Sequence, residues 1–252
     1  MTFIEATILG VIQGLTEFLP ISSSGHLVLA QHLLGIQDHG NELEVLVHLG
    51  TLASILVVFS NDIRLILVDI KSKENQFYIF FLIVASLPAA ILGIQYKGFF
   101  ESLFDDFYIV SKALLFTGVV LIASYFFQPK DKNHNIISSI LIGISQALAI
   151  TPGISRSGMT ISCALLMGIN AKDAAKFSFL MAIPVISGAG LLTFIDSYND
   201  FSISISNGFG ALFSSFLIGV VALKWLLKWL GQGKFHYFGI YCILLGLVMM
   251  IT

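Results

Sequence analysis

The chain has 252 residues, 56% of them hydrophobic and 11% charged, against roughly 25% charged usage in soluble domains. Its apolar residues fall in long repeated runs instead of amphipathic stripes, which excludes an ordinary soluble protein. The formal net charge of −2 argues against a nucleic-acid partner. An all-α integral membrane protein is expected, with the bilayer as its surroundings. The N-terminus lacks Lys and Arg and carries Glu5, so no secretory signal is expected. Cys163 and Cys242 have no framework spacing and read as packed thiols.

The first apolar segment, Phe3–Leu19 followed by Ser22–Gly35, is interrupted by Pro20 and the serines Ser22, Ser23 and Ser24. Proline removes a helix donor and clashes with the preceding turn, so the helix should break near Leu19. Serine is a favoured N-cap, so a second helix should begin at Ser22 to Ser24, with Ser24 the expected capping residue. Such an N-terminus offers unpaired N–H groups and the positive end of a dipole, which suits a phosphate. Each arm is shorter than the roughly 20 residues of a span, so residues 3–35 read as a hairpin that enters and leaves on one side.

Three spans follow, Val45–Ser60, Phe77–Tyr96 and Phe107–Phe127, and then a second broken pair, Ile136–Ile150 with Ser155–Gly168. The last three spans are Phe177–Ile195, Gly208–Leu223 and His236–Ile251. Arg64, Lys71, Lys73, Lys130, Lys132, Lys172, Lys176, Lys224, Lys228 and Lys234 mark their connections as cytoplasmic by the positive-inside rule. The stretches around Glu101, Asp105 and Asp106 and around Asp196 and Asp200 carry no Lys or Arg and read as external. Both flanks of the 136–168 pair are then cytoplasmic, so that pair must turn back within the membrane, and the 3–35 pair must enter from the opposite side.

The two hairpins also match in sequence. Gly10, Gln13, Leu15, Ile21, Ser22, Ser24 and Gly25 recur at one constant offset as Gly143, Gln146, Leu148, Ile154, Ser155, Ser157 and Gly158. This predicts an inverted-topology repeat, about 1–127 and about 136–252 within one membrane domain, with the broken tips meeting inside the bilayer. Irregular backbone at that depth must line a polar cavity. The copies differ where chemistry would lie: Glu17 faces Ile150, Ser23 faces Arg156, and His26 faces Met159.

Glu17 shares a helix face with Gln13, and an ionisable residue at membrane depth is a functional candidate. Ser22 and Ser23 lie four and three residues before His26, so either hydroxyl could sit beside the imidazole, as an activated nucleophile requires. Arg156, opening a half-helix after Pro152-Gly153, combines a bidentate cation with a helix N-terminus, which makes a phosphate clamp. His32, His39 and His134 read as surface or interface residues and His236 as the start of a span; Glu44 and His48, early in the first span, could reach a cavity but read first as packing or interface residues.

The run from Gln13 to His26 and the run Pro152-Gly-Ile-Ser-Arg-Ser-Gly158 together resemble the two signature motifs of the undecaprenyl-pyrophosphate phosphatase family, also known for bacitracin resistance. The resemblance spans essentially the whole chain. It implies six spans plus two re-entrant hairpins and a bacterial plasma-membrane (inner-membrane) enzyme with its site open to the external, periplasmic side. It further implies release of the terminal phosphate of undecaprenyl pyrophosphate, giving the monophosphate carrier for peptidoglycan and other envelope polymers. By position, it implies catalytic roles for Glu17, Ser23, His26 and Arg156, with Ser23 attacking after deprotonation by His26, or His26 activating water. Substrate contacts are expected from Gln13, Ser22, Ser24, Gly25, Ser155, Ser157 and Gly158. A divalent cation, Mg²⁺ or Ca²⁺, is expected on Glu17, and a homodimer is a candidate assembly. Where many members carry a first glutamate this chain has Gln13, an amide that cannot ionise. The alternative reading is a prenyl-phosphate flippase that binds with the same residues and does not cleave, since inverted repeats with broken helices are above all a transporter design.

Overall fold

The computed structural model describes residues 1–36, 41–104, 106–127, 131–196 and 203–251, excepting the side chains of 41, 42 and 196. His39, Asp105, Lys130 and Asp200 lie outside the described residues. Within them the fold is all helical: α1 Phe3–Thr16, α2 Ser23–Leu34, α3 Asn41–Val58, α4 Ser60–Val68, α5 Lys73–Gln95, α6 Lys97–Ser102, α7 Phe107–Tyr125, α8 Ile136–Leu148, α9 Arg156–Leu166, α10 Ala171–Asp196, α11 Ile205–Gly231 and α12 His236–Ile251.

Among the described residues, four helices are long and apolar enough to cross a bilayer: Lys73–Gln95, Phe107–Tyr125, Ala171–Ile195 and Ile205–Gly231. The pair Leu43–Val58 and Ser60–Val68 qualifies as a fifth, bent by 66°. The bend falls at Phe59, whose buried ring lies 6.0 Å from that of Phe179. The sixth expected span, α12, is helical over the expected residues, but its 16 residues fall short of a full crossing. The chain is a multi-pass membrane protein, and its exposed apolar side chains, such as Ile83, Leu87, Val119, Val221 and Val248, suit contact with lipid tails.

Both broken pairs are helix–turn–helix hairpins, α1 with α2 and α8 with α9. α1 starts with a capping box between Thr2 and Glu5. It ends at Thr16, three residues before the break expected at Leu19, because the chain already leaves the helix to seat Phe18 and Leu19 in the core. The Phe18 ring is fully buried and meets Phe179 edge-on at 5.7 Å. The first tip is therefore pinned to α10, an element of the second half of the chain.

Packing between the two halves of the chain is reciprocal. α1 lies along α11, and α8 lies along α5. Both contacts rest on the matched glycines. A Cβ on Gly10 would come within 2.4 Å of the Ala211 carbonyl oxygen, and one on Gly143 within 2.7 Å of the Ala85 carbonyl oxygen. Close backbone approach through small residues is how helices associate in lipid, where the hydrophobic effect supplies little drive between them.

Candidate active site

Each tip opens a helix through a serine cap. Ser22 Oγ accepts from Gly25 N at 3.3 Å, and Ser155 Oγ accepts from Gly158 N at 3.1 Å. The serine two positions after each cap turns back on it, Ser24 on Ser22 at 3.2 Å and Ser157 on Ser155 at 3.3 Å. The cap of the first tip is thus Ser22, and the expectation for Ser24 is corrected: its hydroxyl supports the cap. The tips abut, with Ser157 Oγ donating to the Leu19 carbonyl at 3.5 Å. A Cβ on Gly25 would stand 3.5 Å from the Gly153 Cα.

Glu17 sits at the junction. Its side chain is 5% exposed, and Arg156 Nη2 donates to Oε1 at 2.6 Å. Oε2 accepts from Ser23 Oγ at 2.7 Å and from Gln13 Nε2 at 2.9 Å. The first tip therefore brings the acid and hydroxyl, and the second brings the cation, as the differences between the copies suggested. Arg156 keeps a second edge in reserve, because Nη1 is buried and has no partner among the described residues. A buried guanidinium donor without an acceptor costs free energy unless an anion takes it. Thr160 Oγ1 donates to the Arg156 carbonyl at 2.8 Å and also bonds the Ser178 hydroxyl at 2.6 Å, holding the start of α9 to α10.

His26 does not stand where the spacing placed it. Nδ1 lies 2.8 Å from the Ser22 carbonyl oxygen, not its hydroxyl. A carbonyl only accepts, so Nδ1 carries a hydrogen, and Nε2 of the neutral ring accepts from the Tyr241 hydroxyl at 2.8 Å. The His26 and Tyr241 rings lie nearly parallel, 13° apart. Both ring nitrogens are taken, and the Ser23 hydroxyl is directed at Glu17. The physical reason is the backbone at Ser22, whose φ of 68° turns its carbonyl, and not its side chain, toward the imidazole. A non-glycine residue in that region is strained by about 1–3 kcal/mol and persists where the surroundings hold it.

Three further residues join the site. Thr117 on α7 accepts from Ser155 N at 3.1 Å and donates to the Gly153 carbonyl at 3.0 Å. Tyr241 on α12 holds His26, while its neighbour Cys242 donates its thiol to the Pro20 carbonyl at 3.5 Å. His48 on α3, expected to be a packing or interface residue, has Nε2 3.8 Å from Glu17 Oε2. Thr117 and Tyr241 carry no local signature, being single polar residues in apolar spans. His48 had one: Glu44 and His48 lie on one helical face that a break elsewhere could approach.

His134, expected as a surface or interface residue, is half-buried just before α8. Its ring stacks on Phe177 at 4.1 Å, and burial holds its imidazole below the ordinary histidine range. Cys242 is buried and Cys163 half-buried, and both thiols are free.

Among the described residues no three His, Cys, Asp or Glu side chains converge as a metal cluster. A cation could nevertheless be held by Glu17 and Gln13, because Gln13 is fully buried and its Oε1 has no partner among the described residues. One carboxylate, one amide oxygen and phosphate oxygens form a donor set that Mg²⁺-type ions accept.

The family model described as bacitracin resistance protein BacA matches residues 6–248. An undecaprenyl-diphosphatase of Bacteroides thetaiotaomicron is 38% identical, the match covering 100% of this chain and 99% of that protein. One of Halothermothrix orenii is 39% identical, covering 100% and 98%. A protein of Bacillus cereus named undecaprenyl-diphosphatase 1 is 37% identical, covering 97% and 95%.

Proposed function

From the premise that this chain belongs to the BacA family, we propose that it hydrolyses undecaprenyl diphosphate to undecaprenyl phosphate and inorganic phosphate. The product is the lipid carrier recycled in cell-wall synthesis. The observation that carries this reading is the junction of the tips, where a hydroxyl, its carboxylate acceptor and a half-free guanidinium meet inside the apolar fold. The two repeats have inverted topology, and the tips meet in the membrane interior with the site open to the external side of the plasma membrane. Charge supports that orientation: Lys176 pairs with Asp62 at 2.6 Å, joining two connections that the positive-inside rule puts on the cytoplasmic face.

In the proposed mechanism the prenyl chain stays in lipid and the diphosphate enters between the N-termini of α2 and α9. Their N–H groups and Arg156 Nη1 take its oxygens, while Arg156 Nη2 stays on Glu17. Gln13, Ser22, Ser24, Gly25, Ser155, Ser157 and Gly158 shape that cradle. Ser23 attacks the terminal phosphorus and passes its proton to Glu17 Oε2. A bond from Oγ to phosphorus forms, the bridging P–O bond breaks, and the prenyl monophosphate leaves with the electron pair. The departing monophosphate takes the Ser23 proton from Glu17. Water then attacks the phosphoserine and gives its proton to the freed Glu17 carboxylate, the Oγ–phosphorus bond breaks, and Oγ takes that proton back from Glu17 as inorganic phosphate departs. His26 holds the strained turn at Ser22 that aims Ser23. A divalent cation held by Glu17 and Gln13 would spread the negative charge of the transferring phosphoryl group.

The reading is tested with purified protein in detergent by measuring phosphate release from a long-chain prenyl diphosphate, with Ser23→Ala as the comparison. Release that Ser23→Ala abolishes is expected. A second reading, a prenyl-phosphate flippase, is favoured by the reciprocal packing of α1 on α11 and α8 on α5, since paired repeats are what alternating access needs. Tight lipid binding without phosphate release from folded wild type would select it.

A further inference from the structure

We propose that the end of α11 and the turn into α12 form a binding site for an anionic phospholipid, whose headgroup is held by Lys224, Lys228 and Lys234 against Trp225 and Trp229. The site shares no residue with the hairpin tips, and nothing in it depends on the proposed reaction.

Sequence sets the charge. From position 201 to the end the chain has these three lysines and no Asp, Glu or Arg. Among the described residues the lysines that pair with a carboxylate lie elsewhere, Lys97 with Glu101 and Lys176 with Asp62. Lys224, Lys228 and Lys234 are all exposed. In the orientation proposed for the chain, this end of α11 reaches the cytoplasmic leaflet, whose surface is negative and attracts clustered lysines.

Helix geometry puts the charge beside an apolar strip. At about 100° per residue, Lys224, Trp225, Lys228 and Trp229 share one face of α11, opposite the buried Leu223, Leu226 and Leu230. Leu217 and Val221 lie on that same outer face one and two turns earlier, 46% and 65% exposed. An apolar strip that ends in lysines matches a molecule with acyl tails and a negative head. This continuity selects a lipid over a soluble acidic partner.

The rings make the floor of the site rigid. Trp225 and Trp229 meet edge-on with centroids 5.0 Å apart, and Trp229 packs 5.5 Å from Phe238 of the buried core. Lys234 Nζ lies 5.8 Å from the centroid of the Trp229 ring, so the turn brings its cation back to the face of α11. Trp225 is 40% exposed, and an indole at a helix end suits the depth at which ring and headgroup meet.

The experiment uses the chain's own fluorescence. Trp225 and Trp229 are its two tryptophans, so quenching reads this face alone. The full chain is placed in nanodiscs of phosphatidylcholine with a minor share of phosphatidylglycerol, and one lipid or the other carries brominated acyl chains that quench a ring in contact. Each Lys near an anionic surface is worth roughly fivefold in attraction, so phosphatidylglycerol should be preferred at the rings by at least about fivefold. Lys224→Gln/Lys228→Gln/Lys234→Gln should bring the ratio to about one. Lys228→Gln alone should lower it measurably, and serves where the triple variant does not fold. Lys71→Gln/Lys73→Gln, on another connection, should leave it unchanged. Equal quenching by the two lipids in wild type, or a preference that survives the triple variant, would overturn the site. A preference lost equally with Lys71→Gln/Lys73→Gln would overturn it too, assigning the effect to a diffuse surface field. No preference between lipids, with a fluorescence shift on adding polyglutamate, would give the face to an acidic protein instead.

Discussion

The two hairpin tips are the same device carrying different chemistry, and they differ most in where the backbone strain sits. Both close with a serine cap, a second serine behind it and a glycine donor. In the second tip Ser155 has an ordinary φ of −77°, and the left-handed turn falls on Gly153 at 92°. Thr117 then satisfies the loop from outside. In the first tip the left-handed residue is Ser22 itself, one position before Ser23, and His26 with Tyr241 braces it. The tip proposed only to bind is relaxed on a glycine, and the tip proposed to carry the covalent step holds a strained serine. Strain of this kind is kept where neighbours over-determine it.

Breaking the second tip should have the largest effect on activity. Arg156→Ala removes the clamp and leaves Glu17 a buried, unpaired charge. By analogy with other lost phosphoryl-charge clamps, prenyl-diphosphate turnover should fall by about 10³–10⁵. Arg156→Lys, lacking the planar fork, should restore little in the same assay.

Gly153→Ala attacks the scaffold of that tip instead of its charge. A Cβ there would lie 2.4 Å from the Val110 carbonyl oxygen at a φ that disfavours any side chain. Thermal unfolding in detergent should show a loss of at least about 2 kcal/mol, from strain plus overpacking. An unchanged unfolding temperature would mean that the turn is not held as described.

In the first tip the comparison sharpens with Tyr241→Phe. Losing one hydroxyl to a ring nitrogen costs about 0.5–1.5 kcal/mol, so turnover should drop roughly 3–10-fold, with the loss in kcat. A wild-type kcat would remove Tyr241 from the brace.

The smallest effect lies outside both tips, at His134. Burial lowers its folded pKa below the unfolded value of 6.5, so the unfolded state takes up the proton first. Stability is therefore full above about pH 6.5 and declines as pH falls below it. His134→Phe, which keeps the stack on Phe177, should flatten that slope in unfolding curves taken from pH 5 to 8.

Much of this arrangement was legible in the sequence because its signals are local. Pro20 and Pro152, the serine runs and the constant offset between copies located both tips, and the contrasts of Glu17 with Ile150 and Ser23 with Arg156 divided the chemistry. The partner of His26 was not legible. Helical spacing assumes that Ser22 lies inside the helix, whereas Ser22 is the cap and its positive φ exchanges hydroxyl for carbonyl. Nor could spacing reveal Thr117 or Tyr241, whose roles depend on how α7 and α12 pack around the tips. The break after Thr16 came early because burial of Phe18 against Phe179 outweighs continuing the helix to the proline.

The most direct test of the account compares Glu17→Gln with His26→Gln in phosphate release from a long-chain prenyl diphosphate at saturating substrate. If Glu17 is the base for Ser23 and His26 only braces the turn, Glu17→Gln abolishes turnover while His26→Gln retains a measurable fraction of it. The opposite ranking, with His26→Gln inactive and Glu17→Gln turning over, would return the proton to the imidazole and contradict the assignment of the site.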